Sequence, residues 1–131
     1  MAPIKRSLSL RLRPEKLAVA RLEPDAAPPD WALRAKFWTV SRTEGELSVV
    51  CPVECVPPGV RVEAPWRCFG IEGIVDFALV GILKALIDPL AAEDIPVFVL
   101  STFDTDYLMV REIYAERAAA ALRAAGHKIA E

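Results

Sequence analysis

The chain has 131 residues, 53% of them hydrophobic and 8% aromatic, with a formal net charge of −2 at pH 7. This composition provides enough apolar side chains for a packed core and argues against a disordered chain. Because the charge balance is weakly acidic, attraction to phosphate backbones is poor and no nucleic-acid partner is expected.

Neither the start of the chain nor its most apolar stretch has the pattern of a targeting or membrane segment. The first residues, MAPIKRSLSLRLR, carry charges every few positions and contain no apolar core of a signal peptide. The longest apolar stretch, at 77–90, is interrupted by Gly81, Lys84, Asp88 and Pro89, so no membrane contact is expected. We expect a soluble cytoplasmic protein.

The first half of the chain predicts mainly strands. Alternating apolar and polar residues predict strands at 7–13 and 16–22, with a turn at Pro14 between them. A hairpin is predicted from strands at 36–41 and 46–51.

Helix is scarce in this half. Asp30 is placed to cap a short helix over 30–35, for which Trp31 and Leu33 are candidate apolar anchors. The second helical segment is reduced to one turn before Pro57.

Proline marks the predicted boundary between the halves. A short strand at 60–63 ends at Ala64–Pro65, which is the best candidate boundary. We therefore predict one unit over 1–63, degenerate and poor in helix, and a complete unit over 64–131.

The second half predicts the order β-α-β-β-α-β. A strand at 66–71 and a turn at Glu72 and Gly73 lead into a helix over 75–92, which Pro89 should kink. One face of this helix is apolar, through Leu79, Val80, Leu83, Leu86, Ile87 and Leu90. The remaining elements are a strand at 95–100, a turn at 102–105, a strand at 106–111, a helix over 113–125 and a closing strand at 127–130.

An internal repeat links the halves. The segment FWTVSRTEGELSVV (37–50) aligns with VFVLSTFDTDYLMV (97–110) at a constant offset of 60, which pairs Ser41 with Ser101 and Glu46 with Asp106. Each segment reads as strand, serine, acidic turn and strand. The offset is close to the length of one half, which favours duplication.

The cysteines and the one histidine predict neither a cofactor nor catalysis. The three cysteines, Cys51, Cys55 and Cys68, indicate a protein of a reducing compartment. A zinc site would need a second pair of ligands in addition to Cys51 and Cys55, and the sequence has no such pair. His127 follows Gly126 at the end of a helix, where it is placed to cap the last carbonyls. We expect buried apolar thiols, no metal, no cofactor and no enzyme activity.

The sequence resembles a known family over nearly its whole length. The stretches that carry the resemblance are RLEPDAAPPDWAL, FWTVSRTEGELSVVCP, VPPGVRVE and PWRCFGIEGIVDFALVGILKALIDPLAAEDIPVFVLSTFDTDYLMVRE. They resemble small bacterial proteins with tandem ACT domains, a subfamily that includes cytosolic arginine sensors of animals and, more distantly, aspartokinase regulatory domains. The resemblance implies an α+β fold of two tandem ferredoxin-like βαββαβ units with side-by-side antiparallel sheets. It also implies binding of an amino acid or a similar small ligand at the interface between the units.

The resemblance also implies a ligand site between two segments of the second half. The first is the turn entering the first helix, with Gly73, Ile74, Val75 and Asp76. The second is the hairpin, with Thr102, Phe103, Asp104, Thr105 and Asp106. Gly73 would let the backbone approach the ligand, and the helix N-terminus after it would donate to a carboxylate. Asp106 or Asp104 would accept from an ammonium or guanidinium, and Phe103 would cover an aliphatic stem.

Structural interpretations of the same residues stay open. Gly73 is equally expected as a simple turn residue, and Asp76 as a helix cap. Asp104 and Asp106 also fit ordinary hairpin-turn residues, and Phe103 a partly buried ring. The corresponding turn of the first half, at 42–46, is a poor candidate site.

The residues and the resemblance together predict a non-enzymatic regulatory protein. It would bind a small ligand, with an amino acid as the favoured class, and report occupancy through a homodimer or a regulated enzyme partner. The alternative is a ligand-free interaction module that dimerises through sheet edges. A small enzyme that uses Asp104, Asp106 or a cysteine is the third and least favoured hypothesis.

Overall fold

The computed structural model describes residues 7–73 and 81–131. In these residues the strands are β1 (Ser9–Leu12), β2 (Leu17–Leu22), β3 (Thr39–Arg42), β4 (Leu47–Pro52), β5 (Arg61–Ile71), β6 (Phe98–Ser101), β7 (Asp106–Arg111) and β8 (Lys128–Ala130). The α-helices are α1 (Asp30–Leu33), α2 (Ile82–Ala92) and α3 (Ala115–Ala124), and Val53–Cys55 and Glu112–Tyr114 are 3₁₀ turns. The chain forms a larger unit, Met1–Pro14 with Arg67–Glu131, and a smaller unit, Glu15–Trp66.

The larger unit contains a sheet in the order β6-β7-β5-β1-β8. β1 runs antiparallel to β5, with Leu10 opposite Ile71, and parallel to β8, with Leu10 opposite Ile129. α2 and α3 contact each other. The order is that of a βαββαβ unit into which β1 is inserted between the first and last strands.

One apolar core fills the larger unit between its sheet and its helices. α2 contributes Ile82, Leu86 and Leu90, which are spaced by four residues and therefore share one helix face. The strands contribute Leu10, Leu12, Phe69, Ile71, Leu108 and Val110, and α3 contributes Ala115, Ala118, Ala119 and Leu122. Because the strand residues alternate in position, a single face of the sheet is covered by the helices.

The smaller unit has an antiparallel sheet in the order β3-β4-β2-β5. Its core consists of Ala20, Ala32, Leu47, Val49 and Cys51. The chain order in this unit is β-α-β-β-β, with the short 3₁₀ turn before the last strand, as the sequence predicts. Its only α-helix among the described residues has four residues, so the sheet has little helical cover.

The predicted anchors and cap of the short helix are partly wrong. Asp30 is the first residue of α1 rather than its cap, because Pro29 occupies the cap position and no side chain caps the helix. Ala32 is fully buried, whereas Leu33 is 38% exposed and does not anchor the helix. Trp31 packs against the core of the smaller unit, as predicted.

The strands predicted at 60–63 and 66–71 are a single strand, because β5 runs unbroken from Arg61 to Ile71. The register shows how the strand tolerates the proline. Val19 lies opposite Glu63, but Leu17 lies opposite Trp66, so β5 has one extra residue at this point. A bulge leaves a residue without ladder hydrogen bonds, which is where a strand accepts proline.

The division of the chain into units also differs from the predicted ranges of 1–63 and 64–131. The change of unit falls between Trp66 and Arg67, within β5. β1 groups with the later part of the chain because it pairs there with β5 and β8. Pairing across more than fifty residues leaves no local sequence signal.

The first long helix is shorter than predicted. α2 begins at Ile82, and Gly81 before it has φ of +84°, a left-handed conformation that a continuing helix does not contain. The predicted helix therefore cannot run unbroken from residue 75. Residues 74–80, which include Leu79 and Val80, lie outside the described part of the chain.

The last helix ends as predicted, but the role of His127 differs. Gly126 has φ of +99° and terminates α3. His127 is buried, and its imidazole accepts from the backbone N–H of Leu8 at 3.1 Å rather than capping α3. No helix among the described residues is long and apolar enough to cross a membrane.

Candidate ligand site

The turn of the hairpin in the larger unit spans the predicted residues 102–105, since β6 ends at Ser101 and β7 begins at Asp106. Ser101 pairs with Asp106 at the end of the ladder. Across the turn, the backbone N–H of Thr102 donates to the carbonyl oxygen of Thr105 at 2.8 Å. The Oγ1 of Thr102 accepts from the backbone N–H of Thr105 at 3.3 Å. These bonds fix the turn from within, since threonine hydroxyls commonly satisfy turn backbone.

A side-chain contact places this turn beside the end of β5. The hydroxyl of Thr105 donates to the carbonyl oxygen of Ile71 at 3.4 Å. Two residues later, Gly73 has φ of +84°, and a Cβ there would have no atom of the described residues within 4 Å. The structure therefore brings Gly73 and the predicted hairpin residues to one edge of the unit.

Asp106 is held in place at this edge. It is half-buried at the start of β7, and the hydroxyl of Ser101 donates to its Oδ1 at 2.6 Å. The described residues provide no partner for its Oδ2. An oriented carboxylate with one available oxygen is suited to accept a hydrogen bond from a cation.

The two residues at the tip of the turn are exposed. Phe103 is 83% exposed, so it is not the partly buried ring of the structural interpretation. Asp104 is also exposed and lies next to it. The turn therefore presents an aromatic ring and a carboxylate at its tip.

An ion pair not foreseen from the sequence lies on the other side of the β5 end. Arg11 Nη2 and Glu72 Oε1 are 3.4 Å apart, with side chains 50% and 41% exposed. The backbone N–H of Glu72 donates to the carbonyl oxygen of Ser9 at 2.9 Å. β1 therefore supports the turn that contains Gly73, an arrangement that depends on the non-local pairing of β1.

Part of the predicted site lies outside the described residues. Ile74, Val75 and Asp76 fall within 74–80. The helix N-terminus that the structure describes is that of α2 at Ile82, not one directly after Gly73.

A glycine and a tyrosine meet on the sheet beside this edge. A Cβ at Gly70 would lie 3.1 Å from Cε1 and 3.2 Å from Cδ1 of Tyr107. The ring therefore occupies the space that a side chain at position 70 would need. Tyr107 follows Asp106 directly, so this packing fixes the strand on which the carboxylate lies.

The hairpin of the smaller unit shows that the predicted offset of 60 is wrong by one residue. Arg42 pairs with Leu47 where Ser101 pairs with Asp106, which is an offset of 59. The hydroxyl of Thr43 accepts from the turn backbone as that of Thr102 does. The alignment at an offset of 60 matched serine with serine and acidic residue with acidic residue, but it is one residue out of register with the backbone pairing. A shift of one residue exchanges the two faces of a strand.

The corrected register changes which residue corresponds to Asp106. At an offset of 59 it is Leu47, which is fully buried, rather than Glu46. The smaller unit therefore has an apolar core residue where the larger unit has its oriented carboxylate.

The cysteines are free thiols, two of them buried. Burial raises the pKa of Cys51 to about 11, with smaller contributions from Cys55 and Glu54. Such a thiol is protonated at neutral pH, and the protonated form is a poor nucleophile and metal ligand. Among residues 7–73 and 81–131, no three His, Cys, Asp or Glu residues are grouped as a metal site.

An α+β unit with this strand order belongs to the class of ferredoxin-like domains. A family model described as an ACT domain matches residues 61–124, and a model described as an N-terminal domain matches residues 15–59. The chain belongs to a family of small ACT-domain proteins.

Solved structures agree with this assignment. An X-ray structure of an Agrobacterium tumefaciens protein is 38% identical, has a TM-score of 0.89, and covers 95% of this chain and 92% of that chain. A Vibrio cholerae protein of unknown function, described as a possible transport protein, is 21% identical with a TM-score of 0.76, over 92% of this chain and 91% of that one.

A regulatory subunit shares the fold at lower identity. The regulatory subunit of aspartate kinase from Thermus flavus is 12% identical with a TM-score of 0.58, over 92% of this chain and 99% of that one. No curated protein sequence matches the chain.

Proposed function

We propose that the protein is a non-enzymatic regulator that binds a small amino acid at the edge of the larger unit. The observation that carries the proposal is the bond from the Thr105 hydroxyl to the Ile71 carbonyl, which holds the hairpin beside the turn of Gly73. The family supports the ligand class, since ACT domains generally bind amino acids for regulation.

The chemistry of the edge suits a zwitterion. Asp106, oriented by Ser101, is the acceptor for the ammonium group. Gly73 has no side chain, so ligand atoms can approach its backbone, whose N–H is a donor for the carboxylate. Phe103 is exposed at the tip and would cover the aliphatic part of a ligand.

We propose further that the two units are diverged copies of one ACT-like βαββαβ unit. Their hairpins have four corresponding pairs at the offset of 59, from Thr39 with Val50 and Phe98 with Met109 onward. The smaller copy retains the strand order but has only a 3₁₀ turn in place of its second helix. Its loss of the carboxylate supports a single competent site, in the larger unit.

A ligand-free interaction module remains the second candidate, and exposed sheet edges favour it. Among the described strands, β3 pairs only with β4, and β6 only with β7. Open edges of this kind can pair with another chain. We therefore propose a homodimer, which light scattering would detect as twice the 14.4 kDa chain mass.

Calorimetric titration with the twenty common amino acids tests the function. The proposal expects one or a few to bind with a Kd below the millimolar range, and to raise the Tm at saturating concentration. Native mass spectrometry of freshly purified protein provides an independent test, because a retained ligand adds its mass to the complex. If no amino acid binds and the protein is a dimer, the interaction module is the correct function.

A further inference from the structure

Arg67 of the larger unit has a buried guanidinium nitrogen without a partner. Its Nη2 donates to the carbonyl oxygen of Arg13 at 3.0 Å. Its Nε is buried and has no hydrogen-bond partner among the described residues. A buried donor left unpaired costs its full desolvation penalty, and more so when it is charged. In a native protein such a group calls for an explanation, and a bound water, ion or small molecule provides one.

Arg67 lines two cavities of the larger unit, with volumes of about 540 Å³ and about 230 Å³. Leu12, Arg67 and Glu131 border both. The larger cavity adds Arg11 and Pro14, and the smaller one adds Ala115, Glu116, Ala119 and Arg123. Because they share three residues, the cavities are adjacent, and together they are here called the Arg67 groove.

The groove combines cationic groups with an apolar floor. Its side chains include three guanidinium groups and two carboxylates, and one of these guanidinium groups, that of Arg11, pairs with Glu72 outside the groove. Leu12, Pro14, Ala115 and Ala119 provide apolar surface. The larger cavity has a volume in the range typical of small-molecule sites.

We propose that the Arg67 groove binds a small monocarboxylate. Arg67 and Arg123 hold the carboxylate, because a guanidinium group presents its donors in the geometry of two carboxylate oxygens. The apolar residues cover a short aliphatic chain. A phosphate dianion fits less well, since the carboxylates of Glu116 and Glu131 repel its two charges more strongly than they repel a single charge.

The groove is separate from the hairpin site. Arg67 precedes Ile71 by four residues on β5, which corresponds to about 13 Å along a strand. Arg67 also lies on the face of the sheet that is covered by the helices, as does Phe69. Binding at one site can therefore be measured while the other is disabled.

The Nε–H resonances of the arginines provide a direct test in the full-length protein. Uniformly ¹⁵N-labelled protein is titrated with sodium propionate, with sodium chloride at equal ionic strength as the reference and sodium phosphate as the competing anion. The signal of Arg67 is assigned by its loss in Arg67→Lys. We expect a saturable shift of this signal with propionate that neither chloride nor phosphate reproduces.

Variants of exposed residues separate a specific site from general attraction. Arg123→Gln removes one carboxylate donor and should weaken propionate binding by roughly tenfold to a hundredfold. Glu116→Gln removes a repelling charge and should strengthen binding. Arg117→Gln is the matched control, since Arg117 is on the same helix but pairs with Glu93 outside the groove. Asp106→Ala, in the hairpin site, should leave propionate binding unchanged.

Three outcomes would overturn the proposal. The first is an Arg67 signal that does not shift saturably with propionate. The second is an equal response to phosphate, which would make the groove a general anion site. The third is an equal loss of affinity in Arg117→Gln and Arg123→Gln. Because Arg123 is exposed, its variant remains informative even if Arg67→Lys does not fold.

Discussion

The imidazole of His127 donates from Nε2 to the carbonyl oxygen of Ala85, at 3.0 Å. Pro89 lies four residues after Ala85 in α2 and has no N–H, so that carbonyl lacks its normal helical partner. The tautomer follows from the other ring nitrogen, because Nδ1 accepts from the N–H of Leu8 and Nε2 must therefore carry the proton. His127 thus satisfies the acceptor that Pro89 leaves open.

Replacing this histidine should destabilise the larger unit. In His127→Phe, the buried N–H of Leu8 and the carbonyl of Ala85 both lose their partner, at a cost of about 1–3 kcal/mol for each unsatisfied group. Urea denaturation measures the change in the free energy of unfolding. Lys128→Ala, at the exposed neighbouring position, is the control and should change it little.

The link to Pro89 can be tested by a double-mutant cycle. Pro89→Ala restores an N–H that can bond to Ala85, so His127→Phe should cost less in that background. Strictly additive effects of the two changes would show that His127 does not compensate for the proline.

Gly70 should tolerate no larger side chain because of the ring of Tyr107. In Gly70→Val, the added carbon atoms would meet the ring at distances near 3.1 Å, and overpacking of this kind costs about 1–3 kcal/mol. Thermal unfolding should show a lower Tm, and Tyr107→Ala should recover part of the loss in the double variant.

The matched control for this change is Gly45→Ala in the smaller unit. A Cβ there would lie 3.9 Å from the Thr43 hydroxyl, which is an ordinary contact. A loss as large in Gly45→Ala as in Gly70→Val would mean that the ring of Tyr107 is not the cause.

Local patterns in the sequence predict part of this fold well. The strand at 106–111 and the turn before it are confirmed to the residue, because alternation and turn threonines are signals within a few positions. The end of α3 at Gly126 is equally local. Local patterns do not predict long-range pairings. β1 pairs with β5 and β8, and no residue near β1 in the sequence indicates this.

The candidate site is likewise predictable in its local features and not in its long-range ones. The hairpin residues are predictable from their turn, and Thr105 does contact the end of β5. The one-residue error in the repeat arose because surface serines and acids match by type, whereas the register depends on backbone pairing. Arg67 gave no signal in the sequence, because its environment is formed by β1 and α3, which are distant along the chain.

The thiol of Cys51 should make the protein less stable at alkaline pH. Burial raises its pKa to about 11 in the folded state, from an ordinary value near 9. The contribution of the protonated thiol to the free energy of unfolding is fully present below about pH 9. It is lost as the pH rises towards about 11, because only the unfolded chain can release the proton in this range. A pKa difference of two units corresponds to about 2–3 kcal/mol in the free energy of unfolding.

Urea denaturation between pH 8 and pH 11 checks this expectation. Cys51→Ala removes the titrating group, so its free energy of unfolding should fall less over this range than that of the unaltered protein. Equal slopes for the two proteins would contradict a buried, protonated thiol at this position.

Asp106 should be the residue on which amino-acid affinity depends most. Its carboxylate is oriented by Ser101 and would be the acceptor for the ligand ammonium. Loss of one partner of a buried charged hydrogen bond costs about 2–5 kcal/mol, so Asp106→Ala should weaken binding by roughly thirtyfold or more. Calorimetry with the amino acid found in the screen gives both the affinity and the stoichiometry.

Two neighbouring carboxylates serve as controls for this change. Asp104→Ala removes an exposed charge at the tip of the same turn, and Glu46→Ala removes one from the smaller unit. Both should keep the affinity within a few-fold, because neither is held by a serine at the start of a strand. A stoichiometry of one per chain agrees with Leu47 in place of a carboxylate in the smaller unit. If Asp106→Ala binds as tightly as the unaltered protein, the ligand lies elsewhere, although the regulatory function would stand.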